Sequence, residues 1–225
     1  MDRRTFFRSG ATAAAGAAWL SRDTLRAATS IGAEDPDFLL RGAVIYDGTG
    51  AAPFQGDIAI RGERIVAVGQ GLRAPRAREV DLRGLALAPG FIDIHSHTEL
   101  ELLVDPRAES VVRQGVTTQV SGQCGSSPGP WDREAAARVR EAYRSRYDVD
   151  IDFHDLAGFF GRLRRQGAAI NLATMVGAGT VRATVVGEED RPATAAELER
   201  MVALVSEALA AGACGLSSGL EYAPS

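Results

Sequence analysis

The rhythm of the sequence changes near Leu85, and this limits the fold more than any other feature. From there onward, apolar runs of strand length alternate with stretches of helical periodicity. "LALAPGFIDIH" reads as a strand, and "VTTQVSGQC" as a second. Between them Asp105-Pro106 reads as the N-cap and first-turn proline of a helix closed by Gly115. A polar helix is expected over 132–146, and another with Leu156, Phe159, Phe160 and Leu163 on one face, ending at Gly167. "AAINLATMVG" follows as a third strand. Thr194 and Glu197 then form a capping box, with Leu198, Met201, Val202, Val205 and Leu209 as the buried stripe of the last helix. "ACGLSSGLEY" is the fourth strand. Repeated strand-then-helix order implies a parallel α/β sheet with right-handed crossovers, either open and doubly wound or closed into a barrel. A closed (β/α)8 barrel takes eight strands and about 250 residues. Four strands would make half of one.

Upstream, over 31–85, short β-rich runs are broken by turn residues. "FLLRGAVIYDGTG" ends in Asp47-Gly48, and "DIAIRGERIVAVG" holds two alternating runs joined across Arg61 to Arg64 as a hairpin. This is a small antiparallel sheet domain. Residues 1–30 differ again: Arg3-Arg4, then Phe6 and Phe7, the apolar run "ATAAAGAAWL", and small residues at Ala27 and Ala28. In that order they resemble a twin-arginine export signal rather than an ordinary N-terminal helix, and imply a periplasmic or extracellular protein. The apolar run is shorter than the ~20 residues a membrane anchor needs. Without this segment the chain holds 20 arginines against 27 acids. No basic stripe marks nucleic-acid binding, so a small-molecule partner is expected.

The chemistry concentrates in "GFIDIHSHTE". Strand alternation puts Phe91, Asp93, His95 and His97 on one face, with the two histidines ~6.6 Å apart along the strand. Two imidazoles so placed can converge on one metal ion at bonds of ~2.0–2.1 Å. Asp93 either orients one of them through an imidazole N–H or, equally, binds backbone amides as a strand-end acid. Cys124 lies between Gly122 and Gly125, before a Ser-Pro-Gly loop, a placement that fits a strand end better than a buried core thiol. Cys214, among small residues at a helix-to-strand junction, reads as a core cysteine. His154 reads as a solvated or capping residue. Glu99 is expected at the mouth of the site. Ser218 and Tyr222, with Ser217 and Glu221, stand at the end of strand four, where substrate contacts are expected. All 25 basic residues are arginine, so no lysine within the chain can bridge metals.

A β-rich leader followed by "LAPGFIDIHSH" resembles the amidohydrolase superfamily. "VSGQCGSSPGP", "NLATMVGAGTVR" and "GLSSGLEYAP" narrow this to the D-aminoacylase or N-acyl-D-amino-acid deacylase branch, with the similarity running from about residue 38 to the end. The resemblance implies the first half of a metal-dependent hydrolase TIM-like barrel over 86–225, preceded over 31–85 by part of a small β-sandwich. It implies Zn2+ held by His95, His97 and Cys124. It also implies a hydrolase acting on carbon–nitrogen bonds other than peptide bonds: an acidified water attacks the acyl carbonyl of an N-acyl-D-amino acid, releasing a carboxylate and a D-amino acid. In the branch, two further zinc-binding histidines come from strands five and six and the proton-shuttling aspartate from strand eight. These positions fall past residue 225. The chain is therefore expected to be a fragment, inactive without the carboxyl-terminal half. The alternatives are a cyclic-amide amidohydrolase of the dihydroorotase or hydantoinase kind, disfavoured by the cysteine in "GQCGSS", and a truncated non-catalytic domain.

Overall fold

A computed structural model describes residues 35–221. The export-signal reading, Arg3-Arg4 to Ala28, lies outside the described residues, as does Tyr222. The chain divides after Pro89 into two compact units. No described helix is long and apolar enough to cross a membrane.

The first unit is one five-stranded sheet. β1 (Phe38–Ile45) pairs antiparallel with β2 (Phe54–Arg61), and β2 with β3 (Arg64–Gly69). β4 (Arg78–Asp81) and β5 (Ala86–Leu87) pair parallel with β1. The expected all-antiparallel sheet is thus mixed. The hairpin stands where the alternation put it: Arg61 opposes Arg64 across a two-residue turn whose first member, Gly62, has φ +54°, as such turns require. Apolar side chains cover both faces, Leu39, Ala59 and Leu72 on one and Ala43, Ile45 and Ile58 on the other. A register shift between Leu40 and Ala43 is held by the buried Asp57 carboxylate, which accepts the N–H groups of Gly42 at 2.9 Å and Leu72 at 3.0 Å.

"LALAPGFIDIH" is not one strand. Ala86 and Leu87 belong to the first sheet, whereas β6 (Phe91–Asp93) begins the second. Pro89, with no N–H to give a ladder, separates them, so the unit boundary falls after Pro89 rather than after residue 85.

In the second unit β6, β7 (Val116–Ser121) and β8 (Asn171–Thr174) are parallel neighbours in that order, and β9 (Val176–Gly177) pairs parallel with β10 (Leu216–Ser217). The third expected strand therefore changes partner at its midpoint. The Met175 N–H reaches Ser121 O on one side, and the next residue's N–H reaches Gly215 O on the other. The fourth expected strand is short, with only two of its residues in a ladder.

Six helices are described in this unit: α1 (Glu101–Val104), α2 (Glu109–Val112), α3 (Arg133–Tyr147), α4 (Leu156–Gln166), α5 (Ala178–Val185) and α6 (Ala195–Ala211). Asp105 does not open a helix; it ends α1, and its carboxylate turns back onto the Arg107 N–H, so the next helix begins only at Glu109. Asp132 and Asp155 cap α3 and α4 by accepting from Ala135 N–H and Gly158 N–H. The capping box on α6 is present. Its buried stripe is turned from the expected one: Leu204 and Ala208 pack with Met201 and Val205 against Leu156, Val176 and Val181, while Leu198, Val202 and Leu209 are exposed. The apolar arc of α6 is wider than the contact it makes, so periodicity alone placed the stripe one row off.

Removing the cap with Thr194→Ala is expected to lower stability by about 1 kcal/mol in urea titrations. The Glu197 carboxyl is held well below the usual carboxylate range by the Arg191 guanidinium, then by the Thr194 backbone N–H and hydroxyl. A depressed carboxyl stabilises the fold above its unfolded pKa and loses that contribution as pH falls through the folded value. Melting temperatures of wild type and Glu197→Gln should therefore differ at neutral pH and converge on acidification below the ordinary glutamate range.

Candidate metal centre

Three ligand-type atoms, one each from His95, His97 and Cys124, lie within 4.8 Å of one another, and this is the one such His/Cys/acid cluster among the described residues. The Cys124 thiol is 3.4 Å from His95 Nε2, and the two imidazole centroids are 5.6 Å apart, edge to face. Neither cysteine is in a disulfide.

The histidines are aimed by the segment just past β6, since the strand itself stops at Asp93. The chain continues alongside β7, with the Ser96 N–H on Val120 O at 3.1 Å. Ser96 is buried while its neighbours His95 and His97 are exposed. Asp93 binds no imidazole. Its Oδ1 accepts the His95 backbone N–H at 3.1 Å and its Oδ2 accepts Gln119 Nε2 at 3.2 Å, which is the strand-end role. Gln119 in turn accepts from the Thr98 hydroxyl at 2.7 Å.

Cys124 sits in a loop that departs from β7 through two left-handed residues, Gly122 at φ +73° and Cys124 itself at φ +54°. Three elements grip it. The Glu99 carboxylate accepts the Gly122 N–H. Ser217, at the end of β10, donates its hydroxyl to Gly122 O at 2.5 Å and accepts the Gly125 N–H at 3.0 Å. From α5, the Thr180 N–H reaches Gly125 O at 3.0 Å, the Thr180 hydroxyl accepts the Ser127 N–H at 3.0 Å, and the Thr184 hydroxyl binds Pro130 O at 2.8 Å. Gln123 then ties the loop to the histidine segment, its side-chain amide donating to Ile94 O at 2.8 Å.

Several expectations change here. Glu99 is buried under the cysteine loop rather than exposed at a mouth, because a carboxylate can leave water when it accepts a backbone N–H. Burial, the Glu101 carboxylate and, more weakly, Glu99 push the nearby Tyr143 phenol well above its usual range. Cys214 is exposed, not a core residue; the neighbouring Ala213 takes the buried position. Ser218 is exposed beside Ser217, which is the serine turned into the structure. His154 stands apart from the cluster, largely exposed and 3.8 Å from Asp155.

The sequence model of the amidohydrolase family matches residues 78–224. The chain belongs to the amidohydrolase family. Among curated members, it is 42% identical to an N-acyl-D-aspartate deacylase and 37% identical to a D-aminoacylase, both from Alcaligenes xylosoxydans xylosoxydans, each over 84% of this chain. It spans only 37% and 38% of those relatives' lengths. Of solved amidohydrolase structures, an N-acyl-D-glutamate deacylase from Bordetella bronchiseptica, in complex with zinc and a phosphonate inhibitor, superposes with a TM-score of 0.74 at 35% identity, over 85% of this chain and 40% of that one. A D-aminoacylase structure gives a TM-score of 0.74 at 38% identity, over 84% and 39% of the two chains. The mixed α/β fold is that of these enzymes.

Gly122 tests how tightly the cysteine loop is seated. A Cβ there would overlap Met175 O and crowd Thr174 Oγ1, in addition to the left-handed backbone. Gly187 has φ +83° but open space around it. Gly187→Ala should cost about 1 kcal/mol, and Gly122→Ala about 3 kcal/mol or more, in chemical denaturation.

Proposed function

We propose that this chain carries the metal-binding half of the active site of a zinc-dependent N-acyl-D-amino-acid deacylase. The observation that carries the reading is the convergence of two imidazoles and a thiol on one point. Zinc bonds of ~2.0–2.1 Å to nitrogen and ~2.3 Å to sulfur put tetrahedral ligands about 3.5 Å apart. The Cys124–His95 pair already has that spacing at 3.4 Å, and the widest pair, within 4.8 Å, closes by a rotation of the exposed rings. A set of two nitrogens and one sulfur suits zinc and leaves coordination positions for further groups.

His95, His97 and Cys124 would hold the ion, which when bound supplies Lewis acidity toward an acyl carbonyl and an acidified water. Asp93 fixes the backbone of His95, and the loop contacts hold Cys124. Ser218, just past β10, would face the substrate, and so would Tyr222, which lies outside the described residues. The parallel β6–β7–β8 sheet and the parallel β9–β10 pair would form part of the wall of a (β/α)8 barrel, and the first unit would be part of a small β-sandwich. The reaction would be hydrolysis of the amide of an N-acyl-D-amino acid to a carboxylate and a D-amino acid, as the relatives' names describe for those enzymes. A proton shuttle and further ligands would come from the part of the relatives' length that this chain does not span. The Arg3-Arg4 leader would direct export.

Zinc titration of the chain should saturate at one or two ions, and Cys124→Ala should weaken binding by about 100-fold or more. The 225-residue chain alone is expected to show no deacylase turnover, whereas a protein of the relatives' full length should hydrolyse N-acyl-D-amino acids and lose that activity to a chelator. Wild-type zinc affinity in Cys124→Ala would refute the ligand set.

A further inference from the structure

Ser217 is a buried hydroxyl with both hydrogen-bonding roles spent on the two flanks of one short stretch. It donates to the carbonyl just before the Gln123-Cys124 pair, at 2.5 Å, and accepts the N–H just after it, at 3.0 Å. Of that pair, Cys124 is one of three non-glycine residues with positive φ among those described, a conformation an L residue leaves when nothing holds it. Ser217 reaches its Gly122 flank across 95 positions of sequence. No other described side chain bonds both sides of the cysteine; the Glu99 carboxylate holds only Gly122, and the Thr180 hydroxyl only Ser127.

We infer that Ser217 is a positioning residue for the metal centre, its hydroxyl locking Cys124 in the left-handed conformation that points the thiol at His95. This rests on the metal reading above. Groups that orient a ligand without touching the ion typically change metal affinity 10- to 100-fold when removed. Without the hydroxyl, Gly122 O and Gly125 N–H lose their shared partner, and the backbone around Cys124 is left to the turn bond from Ser126 N–H to Gln123 O at 3.0 Å, a weaker hold on its left-handed angles. The thiol then has to be re-ordered each time a metal binds.

Cobalt(II) reports the geometry directly, because a thiolate bound to it gives a sulfur-to-metal charge-transfer band in the near ultraviolet. The 225-residue chain is titrated with Co2+ against a competing chelator, with circular dichroism recorded for every variant and sucrose added should one melt under assay conditions. Wild type should show the band, and Cys124→Ala should lose it. Ser217→Ala should bind Co2+ at least about tenfold more weakly, with a weaker band, and Ser217→Thr, which keeps the hydroxyl, should recover most of both. Ser127→Ala is the control for general loosening. That serine is equally buried and also double-bonded, to Gly129 O and Gly177 N–H, but it flanks the loop and not the cysteine. Its loss should lower stability and leave Co2+ affinity near wild type. Equal affinity in Ser217→Ala and wild type, or equal losses in Ser217→Ala and Ser127→Ala, would overturn the inference while leaving the metal reading intact. A wild-type chain with no charge-transfer band, or a band that persists in Cys124→Ala, overturns both.

Discussion

One hydroxyl between two backbone groups organises the second unit. Ser217 can bridge Gly122 and Gly125 only if β10 lies beside β9, and β10 lies there only because the strand through Thr174 and Met175 leaves β7 for a new neighbour at Val176. The same geometry brings Gly177 against the Gly125 backbone so closely that any side chain would collide with it. α5 starts at that glycine and supplies Thr180 and Thr184 to the loop. Strand order, the glycine contact, the helix start and the thiol position are thus one connected set.

The sequence carried the local part of this well. Alternation and 3.6-residue periodicity gave the hairpin at Gly62, α3, α4 and α6, and the Thr194–Glu197 box, because each depends on neighbours a few positions away. The i, i+2 histidines alone are a weak signal; the family resemblance of "GQCGSS" is what joins Cys124 to them, and the structure brings the three side chains together. Where prediction failed, the deciding partner was remote. α5 is rich in Val and Thr, residues with weak helix propensity, and it forms where its threonines have loop groups to bind. Glu99 looked like a rim acid because its partner, the Gly122 amide, lies 23 positions away. Cys214 looked like a core residue because small neighbours hid which of two adjacent positions faces inward.

The first unit shows the same division of labour in a different material. Its sheet is specified by alternation on both faces, yet one of its two register shifts, that between Leu40 and Ala43, is stabilised by a buried carboxylate from the next strand. Asp57 and Glu99 are alike in this respect: each is a buried acid whose donors include a backbone N–H at a place where a strand departs from regular pairing.

The span of the Ser217 contact has a consequence for assembly. A clamp closed between residues 122 and 217 cannot form until nearly the whole described chain exists, because both ends of a 95-residue loop must meet. The histidines and the cysteine are translated early, but the thiol is not held in place until the last strand arrives. On the metal reading proposed above, ion capture would be deferred: a nascent chain carries the donors in the order of synthesis, and only the folded one brings them together.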